Sequence, residues 1–161
     1  MGKKASKAVG NIYYDARCSA IESSDEFSSR ERASEILHIE RTRLANIELG
    51  NITPYPEEVK IMSKAYNVPE LCNSYCAREC PIGRGSVKEV QLDGFDRLSL
   101  RVLGSLQDID KLKASLIDIS QDGVVSADEE EKFNEIIDAL EKISGNAKAL
   151  QLWAKKNIRF E

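Results

Sequence analysis

Residues Ser28 to Gly50 read SSRERASEILHIERTRLANIELG, and their pattern decides the fold. Ser28 followed three residues later by Glu31 has the form of a capping box, the reciprocal side-chain-to-backbone arrangement that starts a helix. Ala33, Ile36 and Leu37 then supply an apolar face. Ser34 keeps a small side chain where another helix must come close, and Ile39 plugs the turn that follows. A second short helix starts near Arg41, buries Leu44 and Ile47, and stops at Gly50, a residue that adopts the backbone helix ends favour. Its opposite face carries Arg41, Thr42, Arg43, Ala45, Asn46 and Leu49. Arg and Asn have the geometry to pair with guanine and adenine edges. A helix of this width fits the major groove, and its N-terminus carries partial positive charge that suits phosphate.

The flanking sequence extends the pattern. Asn11 to Glu22 reads as a preceding helix with Ile12, Ala16 and Ala20 inward. After Gly50 come Thr53-Pro54 and an apolar helix, Glu57 to Ala65, closed by Tyr66-Asn67-Val68. On Ser29-Arg30, Ser34, Leu37, Ile39, Arg41, Leu44, Ile47-Glu48 and Gly50, and on the helix after Pro54, the chain resembles the repressor/Cro-type (XRE) helix-turn-helix family over roughly residues 11–76. That resemblance implies a five-helix, lambda-repressor-like domain that binds double-stranded DNA as a homodimer on paired half-sites. It places Arg41, Thr42, Arg43, Ala45 and Asn46 against bases, and Ser29, Arg30, Asn51 and Tyr55 against phosphates. Three positions depart from the family pattern. His38 stands at the turn position usually held by Gly, Glu40 where a Ser or Thr cap is usual, and Leu49 where a polar or basic residue is usual. A carboxylate at Glu40, beside the groove, repels phosphate.

Beyond residue 80 the texture changes. Residues 1–10 read as a flexible arm, 11–80 as the DNA-binding domain, and 81–94, with Pro81, Gly83, Gly85 and Gly94, as a linker. Residues 95–161 hold two amphipathic stretches with alternating three and four spacings. One runs Phe95, Leu98, Val102, Ser105, Ile109, Leu112, Leu116; the other runs Phe133, Ile136, Leu140, Ile143, Ala147, Leu150, Ala154. Seven-residue repeats of this kind mark helices that pack side by side, and the short connection makes them an antiparallel hairpin. Two helices bury too little surface to stand alone in water, so the hairpin needs a partner: the N-terminal domain, a second chain, or both.

Composition bounds the function. A 42% hydrophobic content supports packed cores and argues against a disordered chain. Few aromatics and four prolines, in a chain rich in Glu, Lys, Leu and Ala, favour helices. The net charge of −4 is not that of a generally basic nucleic-acid binder. Residues 1–86 carry 12 basic and 12 acidic side chains, whereas 87–161 carry 11 and 15, so the acidic excess lies in the C-terminal half. DNA affinity therefore has to come from local placement. No apolar run is long enough for a bilayer, and no apolar core follows the basic start, which argues for a cytoplasmic protein without membrane contact.

Two further patterns allow a metal. Cys72, Cys76 and Cys80 follow at four-residue steps, with Cys18 elsewhere. A four-cysteine metal or redox site would use all of them, but structural zinc normally uses closer Cys-x2-Cys pairs. Small buried thiols in a reducing compartment are the plainer reading. Asp118 to Glu129 fits several positions of a calcium-binding EF-hand loop. An Asp-Gly turn before a capped acidic helix start explains the same residues. No cofactor or metal is expected on balance. The lone His38 fills a turn, and no nucleophile–base pair or phosphate loop is apparent, so no enzyme is expected. The sequence thus reads as an all-α, sequence-specific DNA-binding transcriptional regulator, a repressor by resemblance. The alternatives are a protein-interaction module that keeps the fold without DNA binding, and a metal- or redox-gated switch.

Overall fold

The computed structural model describes residues 7–119 and 123–158. Every regular element among them is helical: α1 (Ile12–Ala20), a 3-10 turn (Asp25–Phe27), α2 (Arg30–Leu37), α3 (Arg41–Glu48), α4 (Pro56–Ala65), α5 (Glu70–Arg78), α6 (Phe95–Ser105), α7 (Ile109–Ile119) and α8 (Glu130–Asn157). The protein is all-α. It divides into two compact units, Met1–Glu89 and Val90–Glu161.

In the first unit, local chemistry sets each helix end. Asn11 caps α1, its Oδ1 accepting from the Tyr13 and Tyr14 N–H groups. Its Nδ2 donates to the Ile47 carbonyl at 3.1 Å, which ties the start of α1 to the end of α3. Ser29, not Ser28, caps α2 by accepting from the Arg32 N–H. The cap falls one residue late because Ser28 is still taken up in closing the 3-10 turn. At the other end His38 takes the left-handed backbone, with φ of 53°. The His38 and Ile39 N–H groups both close on the Ser34 carbonyl. Asn67 takes the same left-handed backbone after α4.

Side chains of all five helices meet in one core that includes Tyr13, Leu37, Leu44, Ile47, Met62 and Tyr75. Phe27 meets the Tyr66 ring edge-on at 5.1 Å. Ile36, expected on the buried face of α2, is instead exposed, because the inward stripe is centred on Ala33 and Leu37 and Ile36 lies to its side.

One buried residue in this unit is a carboxylate. Leu44, Ile47 and Glu48 share one face of α3 at helical spacing, and Glu48 is fully buried. Arg17 of α1 grips it in a fork, Nε to Oε1 at 2.5 Å and Nη2 to Oε2 at 3.0 Å. Arg17 Nη1 reaches the Phe27 carbonyl at 2.9 Å. Arg30 of α2 adds Nε to Oε2 at 2.7 Å. Burial works against the charged Arg17, but the bond to Glu48 and its charge outweigh that and hold the guanidinium pKa above its ordinary value.

The stretch expected as a flexible arm includes residues 1–6, which lie outside those described. Its remainder, 7–10, is a turn in which Ala8 is fully buried and accepts from the Asn11 N–H. The expected linker over 81–94 is also not uniform. Gly83 is buried against α5, so close that a Cβ there would meet the Cys76 carbonyl oxygen at 2.3 Å. Asn73 bonds the Lys88 carbonyl, and Arg78 bonds Glu89. Residues 81–89 therefore fold back onto the first unit, and the division falls after Glu89.

In the second unit, α6 and α7 both pack on α8. The first arm, expected as one helix from Phe95 to Leu116, breaks after Ser105. Gly104 adds backbone freedom, and the Ser105 hydroxyl bonds the Val102 carbonyl in competition with the helix ladder. The Leu106 N–H is shared between the Val102 and Leu103 carbonyls, as at a helix end. The second arm is α8, continuous through Gly145. Its inward stripe is also not as expected. Ile136 is buried, but Leu140 and Ala147 are exposed, while Ala149 and Leu152 are buried instead. With the first arm broken into two helices, no single seven-residue seam on α8 faces it. Trp153 of α8 meets Phe95 of α6 at 5.0 Å, and Asn146 bonds the Arg101 carbonyl.

Removing the charge of Glu48 leaves two guanidinium groups facing a neutral partner, one of them buried. Glu48→Gln is expected to destabilise the first unit by roughly 3–5 kcal/mol, the usual cost of breaking a buried ion pair from one side. Denaturant unfolding measures it, and a loss under about 1 kcal/mol, the scale of a surface pair, would show that the node is dispensable.

Candidate nucleic-acid interface

With Leu44, Ile47 and Glu48 turned inward, α3 leaves Arg41 and Thr42 exposed and Arg43, Ala45 and Asn46 half-exposed. The residues expected to read bases thus share one surface. Those expected on phosphates divide. Ser29 accepts from the Arg32 N–H, which leaves its hydroxyl hydrogen free to donate. Asn51 donates to the Asn46 side chain at 3.0 Å, so these two form one amide pair at the end of α3. Tyr55 is exposed at the N-cap of α4. Arg30 is a different case. Its Nε is spent on Glu48, its side chain is only 25% exposed, and its Nη2 is buried. Arg30 is thus an ion-pair partner of Glu48 within the fold.

Arg43 is also committed within the unit. Its guanidinium forks onto Glu58 of α4, Nη2 to Oε2 at 2.8 Å, and lies 4.2 Å over the Tyr55 ring. The same Glu58 carboxylate accepts the Tyr55 N–H at 2.7 Å. Glu58 therefore caps α4 and ties α3 to it. The bond to Arg43 holds the Glu58 carboxyl below its ordinary pKa. Arg41 is more loosely held, by an exposed pair with Glu31 at 2.8 Å.

Glu40 occupies the N-terminus of α3. Its two carboxylate oxygens accept the Thr42 and Arg43 N–H groups, each at 2.8 Å. Those bonds lower its pKa. The amide groups that a phosphate would otherwise use at this helix end are thus already satisfied by a fixed negative charge. The face around α3 is a mosaic in which Glu31, Glu40 and Glu58 accompany Arg41 and Arg43.

Cys72, Cys76 and Cys80 are partly buried against the core of the first unit. Helix α5 ends at Arg78, so Cys80 lies past the helix on which the other two stand. Among the described residues no three His, Cys, Asp or Glu side chains gather as a metal site. Of the candidate calcium loop, residues 120–122 lie outside those described. Asp118 pairs with Lys132, and Glu129 accepts from the Ser126 backbone and hydroxyl. No helix among the described residues is long and apolar enough to cross a membrane. No family model matches the chain, and no curated protein or solved structure does either.

Sequence reading missed the grip on Glu48 and the clamp on Arg43. The first had a signal: Leu44, Ile47 and Glu48 lie three and four apart, so a carboxylate shares the buried face and requires a buried cation. The second had none, because Arg43 and Glu58 are joined only by the folded loop between α3 and α4.

Both Glu40 and Glu58 have folded-state pKa values below the unfolded one. Their contributions are full above about pH 4.3, the unperturbed Glu value, and are lost as the pH falls from there through the lowered folded values. Glu58→Gln and Glu40→Gln should each flatten the acid limb of a stability-versus-pH curve below that point. Denaturation midpoints across the range check this, and an unchanged acid limb in both variants would remove these two bonds as its source.

Proposed function

We propose that the first unit is a lambda-repressor-like helix-turn-helix domain of five helices that binds double-stranded DNA, with α3 as the helix laid in the major groove. The observation that carries this reading is the division of α3 into two faces. One is fixed by Leu44, Ile47 and Glu48 in the core, and the other offers Arg41, Thr42 and the Asn46–Asn51 amide pair to solvent. Arg41 suits guanine and Asn46 suits adenine. Arg43 acts mainly by holding α3 at its angle to α4, with Tyr55 beneath it. By this reading the chain works as a homodimer over two half-sites about one helical turn apart, as a transcriptional regulator and, from the sequence resemblance, a repressor. The absence of a broad basic field means that contact rests on few side chains.

A second reading is favoured by Glu40. A carboxylate locked onto the first amides of α3 suits a surface that meets protein donors better than phosphate. In that reading the fold serves as a protein-interaction module.

The discriminating measurement is an anisotropy titration of the full chain with random-sequence duplex at low and at moderate salt. DNA binding predicts measurable affinity that falls steeply as salt rises. No binding at low salt would favour the interaction module. With a selected operator, Arg41→Ala or Asn46→Ala should each cost roughly 1–3 kcal/mol of specific binding while leaving the unfolding midpoint in place. Unchanged affinity in both variants would show that α3 is not the reader.

A further inference from the structure

Helix α8 is 28 residues long, and α6 and α7 leave one of its faces open. Phe133, Ile137, Leu140, Ser144, Ala147 and Gln151 fall at spacings of four, three, four, three and four, the seven-residue repeat of a coiled-coil seam. All but Phe133, which is half-buried, are exposed. Ile137 and Leu140 leave 38% and 40% of their surface open. This stripe lies beside, and is distinct from, the side of α8 on which Ile136 and Ile143 are covered.

We propose that this stripe is the dimer interface of the protein, and that its occupant is α8 of a second copy, running antiparallel. The proposal gives the homodimer suggested above its surface and orientation, and it stands without DNA binding. Two observations select the direction. The first is size. If the helices cross between Ser144 and Ala147, Ile137 meets the half-buried Ala154 of the second copy, Leu140 meets Gln151, and Ser144 meets Ala147, each row of the seam facing the other. The bulky apolar part of the seam, Ile137 and Leu140, then falls opposite its smaller or polar part, so that bulky side chains do not meet one another. A parallel pair would set Phe133 on Phe133 and Leu140 on Leu140, and leave gaps at Ala147 and Ala154.

The second observation is charge. From Glu130 to Glu141 the helix carries five acids and one base, and from Lys142 to Lys156 four bases and no acid. A helix dipole rewards such a bias only in the first and last turns, but here it persists through the middle. Antiparallel pairing lays the acidic half along the basic half of the second copy. It sets Glu141 beside Lys148 twice, once on each side of the two-fold axis.

Sedimentation of the full chain without DNA is expected to show a two-chain species at micromolar concentration. Glu141→Lys should weaken that dimer roughly tenfold, since it creates two like-charge contacts, and Glu141→Lys with Lys148→Glu should restore it. Direction is read by oxidative cross-linking. Leu140→Cys and Gln151→Cys chains should cross-link when mixed, beyond the level of the unsubstituted chain, and neither should do so alone. A monomer throughout would overturn the proposal. So would cross-linking within each variant alone, no cross-linking in the mixture, or a double variant as weak as Glu141→Lys. A monomer that still bound duplex DNA in the salt titration would leave the DNA reading standing while this one failed.

Discussion

The carboxylate of Glu48 is out of water and holds two guanidinium groups from different helices. Arg17 brings α1 and, through the Phe27 carbonyl, the 3-10 turn; Arg30 brings α2; Glu48 itself ends α3. Three helices thus converge on one anion. Such a group is an expensive thing to bury, and a well-packed apolar cluster often matches it in stability. What it adds is direction: a fork of two hydrogen bonds fixes angle and register in a way that apolar contact alone does not. The orientation of α3 follows from this node. Glu48 and Ile47 draw one face in, and Asn11 closes on the Ile47 carbonyl at the same end. The outer face of α3 is therefore presented on a rigid support, which a recognition surface needs.

The outer face carries its own restraint. Glu40 caps the helix with a charge, Glu58 holds Arg43, and Glu31 pairs with Arg41. Each bond orders a side chain, and each also offsets positive charge that a phosphate would seek. Any affinity for DNA in such a surface is set by a small number of contacts, and a second copy of the chain multiplies them. The α8 stripe supplies that second copy in the proposed dimer. In these two proposals the units of the chain would address two halves of one requirement, a reading helix and a means of pairing it.

Much of the first unit was legible because its signals are local. A cap, an apolar pair at helical spacing, a turn and a glycine stop can all be read within a dozen residues, and α2 and α3 lie where those signals put them. The errors were also local in kind. Ser28 and Ser29 are chemically equal candidates for a cap, and only the geometry of the 3-10 turn chooses between them. Arg30 could not be distinguished from a freely exposed cation without knowing that Glu48 points at it from another helix. His38 shows the reverse: an unusual residue at the turn position takes the left-handed backbone that the turn requires. In the second unit the seven-residue pattern was real, but it did not show which partner each stripe has. Gly104 and Ser105 were enough to break one arm in two, and the stripe through Leu140 and Ala147 was left facing outward.

Hydrogen exchange of the full chain, with and without a random-sequence duplex at low salt, tests most directly whether the face set up by Glu48 is the one that meets DNA. Slowed exchange at the amides of Thr42 to Asn46, with the core amides of α1 and α4 unchanged, is the result that fits. Protection absent from α3, or confined to the second unit, would contradict it.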